Sequence, residues 1–105
     1  MKNTTVQELG RLLQQTPSPH VIDVRSRFEF ARGHVPGAQN IPLMALPQDL
    51  PGIAPDEAVV MVCAGGVRSA AACARVEGRY PKVMNLEGGM AAWMRAETGV
   101  GPSIA

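Results

Sequence analysis

Cysteine and histidine are scarce in this 105-residue chain: the only ones are Cys63, Cys73, His20 and His34. Two thiols this few and this close together cannot frame a disulfide-stapled fold. No pair has the C-x-x-C or H-x-x-x-H spacing of a structural zinc site, so neither a metal nor another cofactor is expected. Aromatic residues are equally few (Phe28, Phe30, Tyr80, Trp93) and no basic run interleaves with them, which argues against a base-stacking platform. Charge of one sign is missing too. Ten basic against nine acidic residues leave a net charge of +1, giving no electrostatic reason for a nucleic-acid or anionic-membrane partner. The longest apolar run, Ala58 to Ala64, falls far short of a membrane span. The opening MKNTTVQELG is polar and lacks the apolar stretch of a signal peptide, so the expected compartment is the cytoplasm.

What is present reads as one α/β domain over 1–98 with a tail at 99–105. Thr5 with Glu8 three residues on has the form of a capping box, and Val6, Leu9 and Leu13 share a helical face behind it. That helix must end before Pro17. His20 to Val24 reads as a short buried strand, Ser26 to Arg32 as a turn or short helix, and Gln39 to Ile41 as a second extended piece. Pro47, Pro51 and Pro55 keep any helix between them brief. Ala58 to Val62 is apolar on both faces, as a central parallel strand should be. A helix follows from about Ser69 with Ala72, Cys73, Val76 and Tyr80 inward and Arg75 and Arg79 outward. Val83 to Leu86 forms a further strand, and Gly88-Gly89 leads into a last helix carrying Met90, Trp93 and Met94. Strands alternating with helices imply parallel pairing through right-handed crossovers. The expected fold is a small three-layer domain, a mainly parallel sheet of four or five strands flanked by helices. The fifth strand has almost no sequence to be made from, since the chain starts close to its first helix. An edge left uncovered there would invite pairing with a second chain.

Open parallel sheets place ligands at the carboxyl ends of their strands. Cys63 stands there, after the clearest strand, followed by Ala64-Gly65-Gly66-Val67-Arg68 before the next helix. The glycines allow successive N–H groups to converge on one point, the sulfur of Cys63 or an atom bonded to it. The helix N-terminus and Arg68 add positive charge, and both favour the reactive thiolate. A buried cysteine is otherwise an ordinary core residue, and Cys73, on the inward stripe of the following helix, is read that way. Asp23 and Arg25 end a strand on the same side, either to brace the loop or touch the donor or, as the stronger reading, as a structural ion pair or hydrogen-bond network. Ser69 reads as a helix-start residue with a hydroxyl able to face the loop. His34 reads as structural, His20 as a strand-edge residue, and Trp93 as core.

Three segments carry a resemblance. VIDVRSRFEFARGHVPGAQNIPL resembles the opening signature of the rhodanese-like domain family, CAGGVRS resembles its active-site loop, and VMNLEGGMAAW is similar to its closing segment. They run in the family's order from about His20 to Trp93. The resemblance implies a rhodanese-type sulfurtransferase with Cys63 as the persulfide-forming nucleophile. It also implies that the backbone of Ala64, Gly65, Gly66, Val67, Arg68 and Ser69 cradles the sulfur. The partners it implies are a small-molecule sulfur donor, such as thiosulfate or a persulfide, and a thiol or protein acceptor. Phosphatases that resemble this fold have five residues between cysteine and arginine. Here there are four, Ala64 to Val67, and one residue fewer removes about 3.8 Å of chain. That favours a single sulfur over a tetrahedral oxyanion. A cysteine phosphatase, an arsenate reductase and a non-catalytic interaction module remain as alternatives. Ala64 departs from the basic or polar residue that many thiosulfate users carry after the cysteine. Arg68 is left as the only loop cation, and the rim is expected to include the stretch from Met44 to Asp49.

Overall fold

In a computed structural model, which describes residues 1–98, five strands line up in one sheet. They are β1 (Lys2–Thr4), β2 (His20–Asp23), β3 (Gln39–Asn40), β4 (Val59–Val62) and β5 (Val83–Leu86). Their order is β1-β5-β4-β2-β3 and every pairing is parallel. Three helices connect them, α1 (Val6–Leu12), α2 (Arg27–Ala31) and α3 (Val67–Val76), with a 3-10 turn at Leu43–Ala45 between β3 and β4, and α4 (Gly89–Thr98) follows β5. The tail expected at 99–105 lies outside the described residues.

The register explains the layers. His20 to Asp23 of β2 lie opposite Val59 to Val62 of β4, and Val59 to Met61 lie opposite Val83 to Asn85 of β5. Along β4 successive side chains point to opposite faces. Val59, Met61 and Cys63 join Ile22, Val24, Ala72, Cys73, Val76 and Tyr80 in the cluster beneath α3. Val60 and Val62 join Val21, Leu9, Leu86 and Met90 beneath α1 and α4. Both faces of β4 are therefore buried, which is why its sequence shows no polar alternation. Among the described residues no helix is long and apolar enough to cross a membrane.

Three expectations need correction. The fifth strand does form, from Lys2, Asn3 and Thr4 set against Met84, Asn85 and Leu86, so β5 is covered and the short β1 is the edge of the sheet on that side. Second, α3 begins at Val67 rather than near Ser69, because Gly66 takes a left-handed conformation (φ +107°) that turns the chain straight into the helix. Third, the Thr5 capping box is half made. Thr5 caps the Glu8 N–H at 3.1 Å, but the Glu8 carboxylate is engaged by Arg11. A complete box stands instead at the head of α2, where Ser26 and Glu29 cap each other's N–H groups.

Candidate active site

The end of β4 delivers Cys63, and the chain then folds back over it. Its Sγ accepts the Gly66 N–H at 3.0 Å and lies 3.2 Å from the Ser69 Oγ. The side chain is almost wholly buried. Burial acts to raise the thiol pKa. The Ser69 hydroxyl, followed by the amides of Ser69, Gly66 and Gly65, outweighs it, and the pKa lies below that of an ordinary thiol. The same residue type ten positions on behaves oppositely. Cys73 has only burial acting strongly on it and is pushed up to about 12, which agrees with its reading as core.

Ser69 is itself held. Its hydroxyl donates to Asn85 Oδ1, and Asn85 Nδ2 donates to the Gly66 carbonyl at 3.2 Å. The hydroxyl has one proton. While that proton serves Asn85, the oxygen can accept from a Cys63 S–H, and on ionisation of the thiol it has a second acceptor in the sulfur. Asn85 was not singled out in the sequence, although a polar residue inside the strand VMNL was the available signal.

The loop's outer side is fixed by α4. The N–H groups of Met90 and Ala91 donate to the carbonyls of Cys63 and Ala64 at 2.8 and 3.1 Å. These bonds hold the first two carbonyls of the loop toward α4, while the Gly66 N–H faces the sulfur on the inner side. Gly89 sits so close that a Cβ there would collide with the Cys63 carbonyl oxygen and lie 2.7 Å from the Ala64 carbonyl carbon. The Gly88-Gly89 pair thus serves the loop as well as opening a helix.

Arg68 is not the main agent its position in the sequence promised. The hydrogen bonds from Ser69 and the loop amides are what chiefly bring the Cys63 thiol down, and Arg68 interacts with the sulfur only through its charge. Its guanidinium forms a two-pronged pair with Glu29 of α2, Nη1 to Oε1 and Nη2 to Oε2, both at 2.9 Å. Glu29 is the first cause of Arg68's raised pKa, with Cys63 and Asp23 adding smaller contributions. Hydrogen bonding from Arg68, then from the Ser26 amide, pulls the Glu29 carboxyl down to about 2. Sequence reasoning missed Glu29, yet S-x-x-E over Ser26 to Glu29 is a capping signature and was legible. Its partner, far along the chain, was not.

Asp23 and Arg25 form a buried ion pair, with Arg25 Nε and Nη2 on the carboxylate at 2.8–3.1 Å. Arg25 also donates to the Gly33 carbonyl at 2.7 Å, and Asn40 ties down the carbonyls of both residues. Their bonds brace the segment after α2 and β3. None of these hydrogen bonds ends on residues 63–69, and Asp23 reaches the loop only through its charge on Arg68. His34 stacks on Phe30 with ring centroids 3.6 Å apart and donates from Nδ1 to the Phe30 carbonyl, a structural role as expected. His20 opens β2, an interior strand rather than an edge, and its Nε2 lies 2.7 Å from Glu57. The expected rim also needs trimming. The Leu43 N–H bonds Val24 at the carboxyl end of β2, but Asp49 pairs with Arg79 past the far end of α3. Among the described residues no three His, Cys, Asp or Glu side chains gather as a metal site.

A buried, ionisable sulfur under converging amides is suited to forming and breaking bonds to a second atom. Comparisons with known proteins agree with this layout. The family model described as the rhodanese-like domain matches residues 5–96. A protein of Allochromatium vinosum named sulfurtransferase is 36% identical over 90 residues, covering 85% of this chain and 84% of its own. The crystal structure of a rhodanese-like domain protein from Staphylococcus aureus superposes with a TM-score of 0.80 at 39% identity, covering 89% of this chain and 91% of that one. The human single-domain sulfurtransferase TSTD1 gives 0.81 at 27%, covering 90% and 96%. With its parallel sheet, its cysteine loop and a match over most of its length, the chain belongs to the rhodanese-like domain family.

Proposed function

We propose that this chain is a sulfurtransferase that carries a sulfane sulfur as a persulfide on Cys63. The observation that carries the reading is the surround of Sγ: a thiol brought below its ordinary pKa by Ser69 and the loop amides, in a loop with four residues between Cys63 and Arg68. Membership of a family whose relatives include sulfurtransferases supports the same activity. In the first step the Cys63 thiolate attacks the outer sulfur of a donor such as thiosulfate or a low-molecular-weight persulfide. The new S–S bond forms as the donor's S–S bond breaks, and the leaving group, sulfite or a thiolate, departs with the electron pair. The terminal sulfur of the persulfide then lies where the loop N–H groups can stabilise its charge. In the second step an acceptor thiolate, a protein cysteine, or cyanide in vitro takes that sulfur and restores the Cys63 thiolate. The mechanism assigns no general base: the hydrogen bonds to Sγ favour its anion more than in an ordinary thiol.

The test is intact-protein mass after incubation with thiosulfate, and separately with glutathione persulfide, followed by cyanide. The expected result is a gain of one sulfur atom, lost on cyanide and absent in Cys63→Ser. A folded, reduced protein that gains no sulfur from either donor but turns over an aryl phosphate or arsenate would overturn the proposal.

A further inference from the structure

The two arginines beside the site are both already matched by carboxylates. Arg25 is held by Asp23 within the fold. Arg68, the only cation of the loop, is held by both oxygens of Glu29. The second pair is not a chance meeting of two flexible side chains. Glu29 Oε1 also accepts the Ser26 N–H at 3.0 Å, and Ser26 Oγ in turn accepts the Glu29 N–H, so the carboxylate is fixed from the α2 side before Arg68 reaches it. Paired in this way, a guanidinium keeps N–H donors but presents little net charge. Ala64 and Val67 add no charge, and Arg27, two residues before Glu29 on α2, faces a different side of that helix. The chain neighbours of the pair are apolar and open to solvent, Phe28 at 86% and Val67 at 82% exposed.

We infer that Glu29 is the specificity-determining residue of the site: by neutralising Arg68 it disfavours a small, doubly charged inorganic donor and selects organic persulfides of low net charge, whose binding does not depend on a cationic rim. The inference rests on the sulfurtransferase reading above. It makes Glu29 a residue acting through Arg68 rather than one touching the transferred sulfur.

The test compares second-order rate constants for loading Cys63, followed by rapid quench and intact mass. The donors are thiosulfate and cysteamine persulfide, whose ammonium and persulfide charges cancel. Glu29→Gln is the chosen variant because glutamine at this position can keep the capping box of α2. Glu8→Gln, which alters net charge equally on α1, is the control. In Glu29→Gln the thiosulfate constant rises roughly tenfold at low salt, equivalent to about 1.4 kcal/mol, and the gain shrinks as salt is added. The cysteamine persulfide constant changes less than about twofold, and Glu8→Gln moves neither. A second measurement needs no variant: thiosulfate loading of the wild type is nearly independent of salt, whereas an uncompensated Arg68 would make it fall. An unmoved or lowered thiosulfate constant in Glu29→Gln, an equal rise with both donors, or an equal effect of Glu8→Gln overturns the role of Glu29 while wild-type loading upholds the sulfurtransferase reading. A wild type loaded by neither donor overturns both.

Discussion

Cys63 and Cys73 lie in the same apolar cluster, yet one is brought below its ordinary pKa and the other is pushed up to about 12. Burial acts on both. What separates them is whether donors reach the sulfur, and only a chain reversal immediately after a strand supplies several at once. That contrast was legible in the sequence, since one cysteine follows a strand and precedes two glycines while the other sits on a helical stripe. The agents were less legible. Arg68 looked like the chief group favouring the thiolate because it is near in sequence and carries a full charge, but Ser69 and the main chain contribute most and Arg68 acts only at a distance. Ser69→Ala is therefore expected to shift the pH–rate profile of Cys63 alkylation by iodoacetamide upward and to slow the reaction at neutral pH, because less of the thiol is then ionised. Cys73 does not interfere with that measurement, being buried and un-ionised throughout. An unchanged profile in Ser69→Ala would assign the effect to the amides alone.

At the scale of elements, the strands that positional patterns reveal are those with apolar sequences, β2, β4 and β5. The helix positions followed from capping and from the spacing of Leu9 and of the Ala72, Cys73 and Val76 stripe. β1 was not readable, because Lys2-Asn3-Thr4 has no strand-like pattern. It is a strand because β5 offers it a ladder, an instance of tertiary context overriding weak propensity. The early start of α3 has a similar origin, with Gly66 and its positive φ replacing a capping side chain. The element with the least obvious contribution is α4, whose first turn holds the carbonyls of Cys63 and Ala64. Gly89→Ala tests this. Its φ of +54° and the collision with the Cys63 and Ala64 backbone predict a loss of roughly 2 kcal/mol or more in denaturant unfolding. They also predict slower alkylation of Cys63 in the protein that remains folded. A stable variant with an unaltered Cys63 rate would mean that α4 does not shape the loop.

For the molecule as a whole, the order β1-β5-β4-β2-β3 puts the cysteine strand at the centre and a buried layer on each side of it. The long proline-punctuated connection from the Leu43 turn to β4 has no regular structure except that turn, but it is not loosely attached. Leu46, Leu50 and Ile53 plug into the cluster beneath α3, and the buried Tyr80 hydroxyl accepts the Leu50 N–H at 2.8 Å and donates to the Ile53 carbonyl at 2.9 Å. Tyr80→Phe leaves both groups without that partner and is expected to cost about 1–3 kcal/mol in global unfolding, with little effect on Cys63. A loss of sulfur loading without loss of stability would contradict this division. The same division extends to the loop itself. Its shape is set by main-chain groups on both sides, N–H toward the sulfur and C=O toward α4, while the side chains of Ala64 and Val67 stand in solvent and take part in neither. The domain is therefore a scaffold with two writable positions: libraries varied at 64 and 67 should retain one reaction centre and yield a set of enzymes that differ in the molecules they receive.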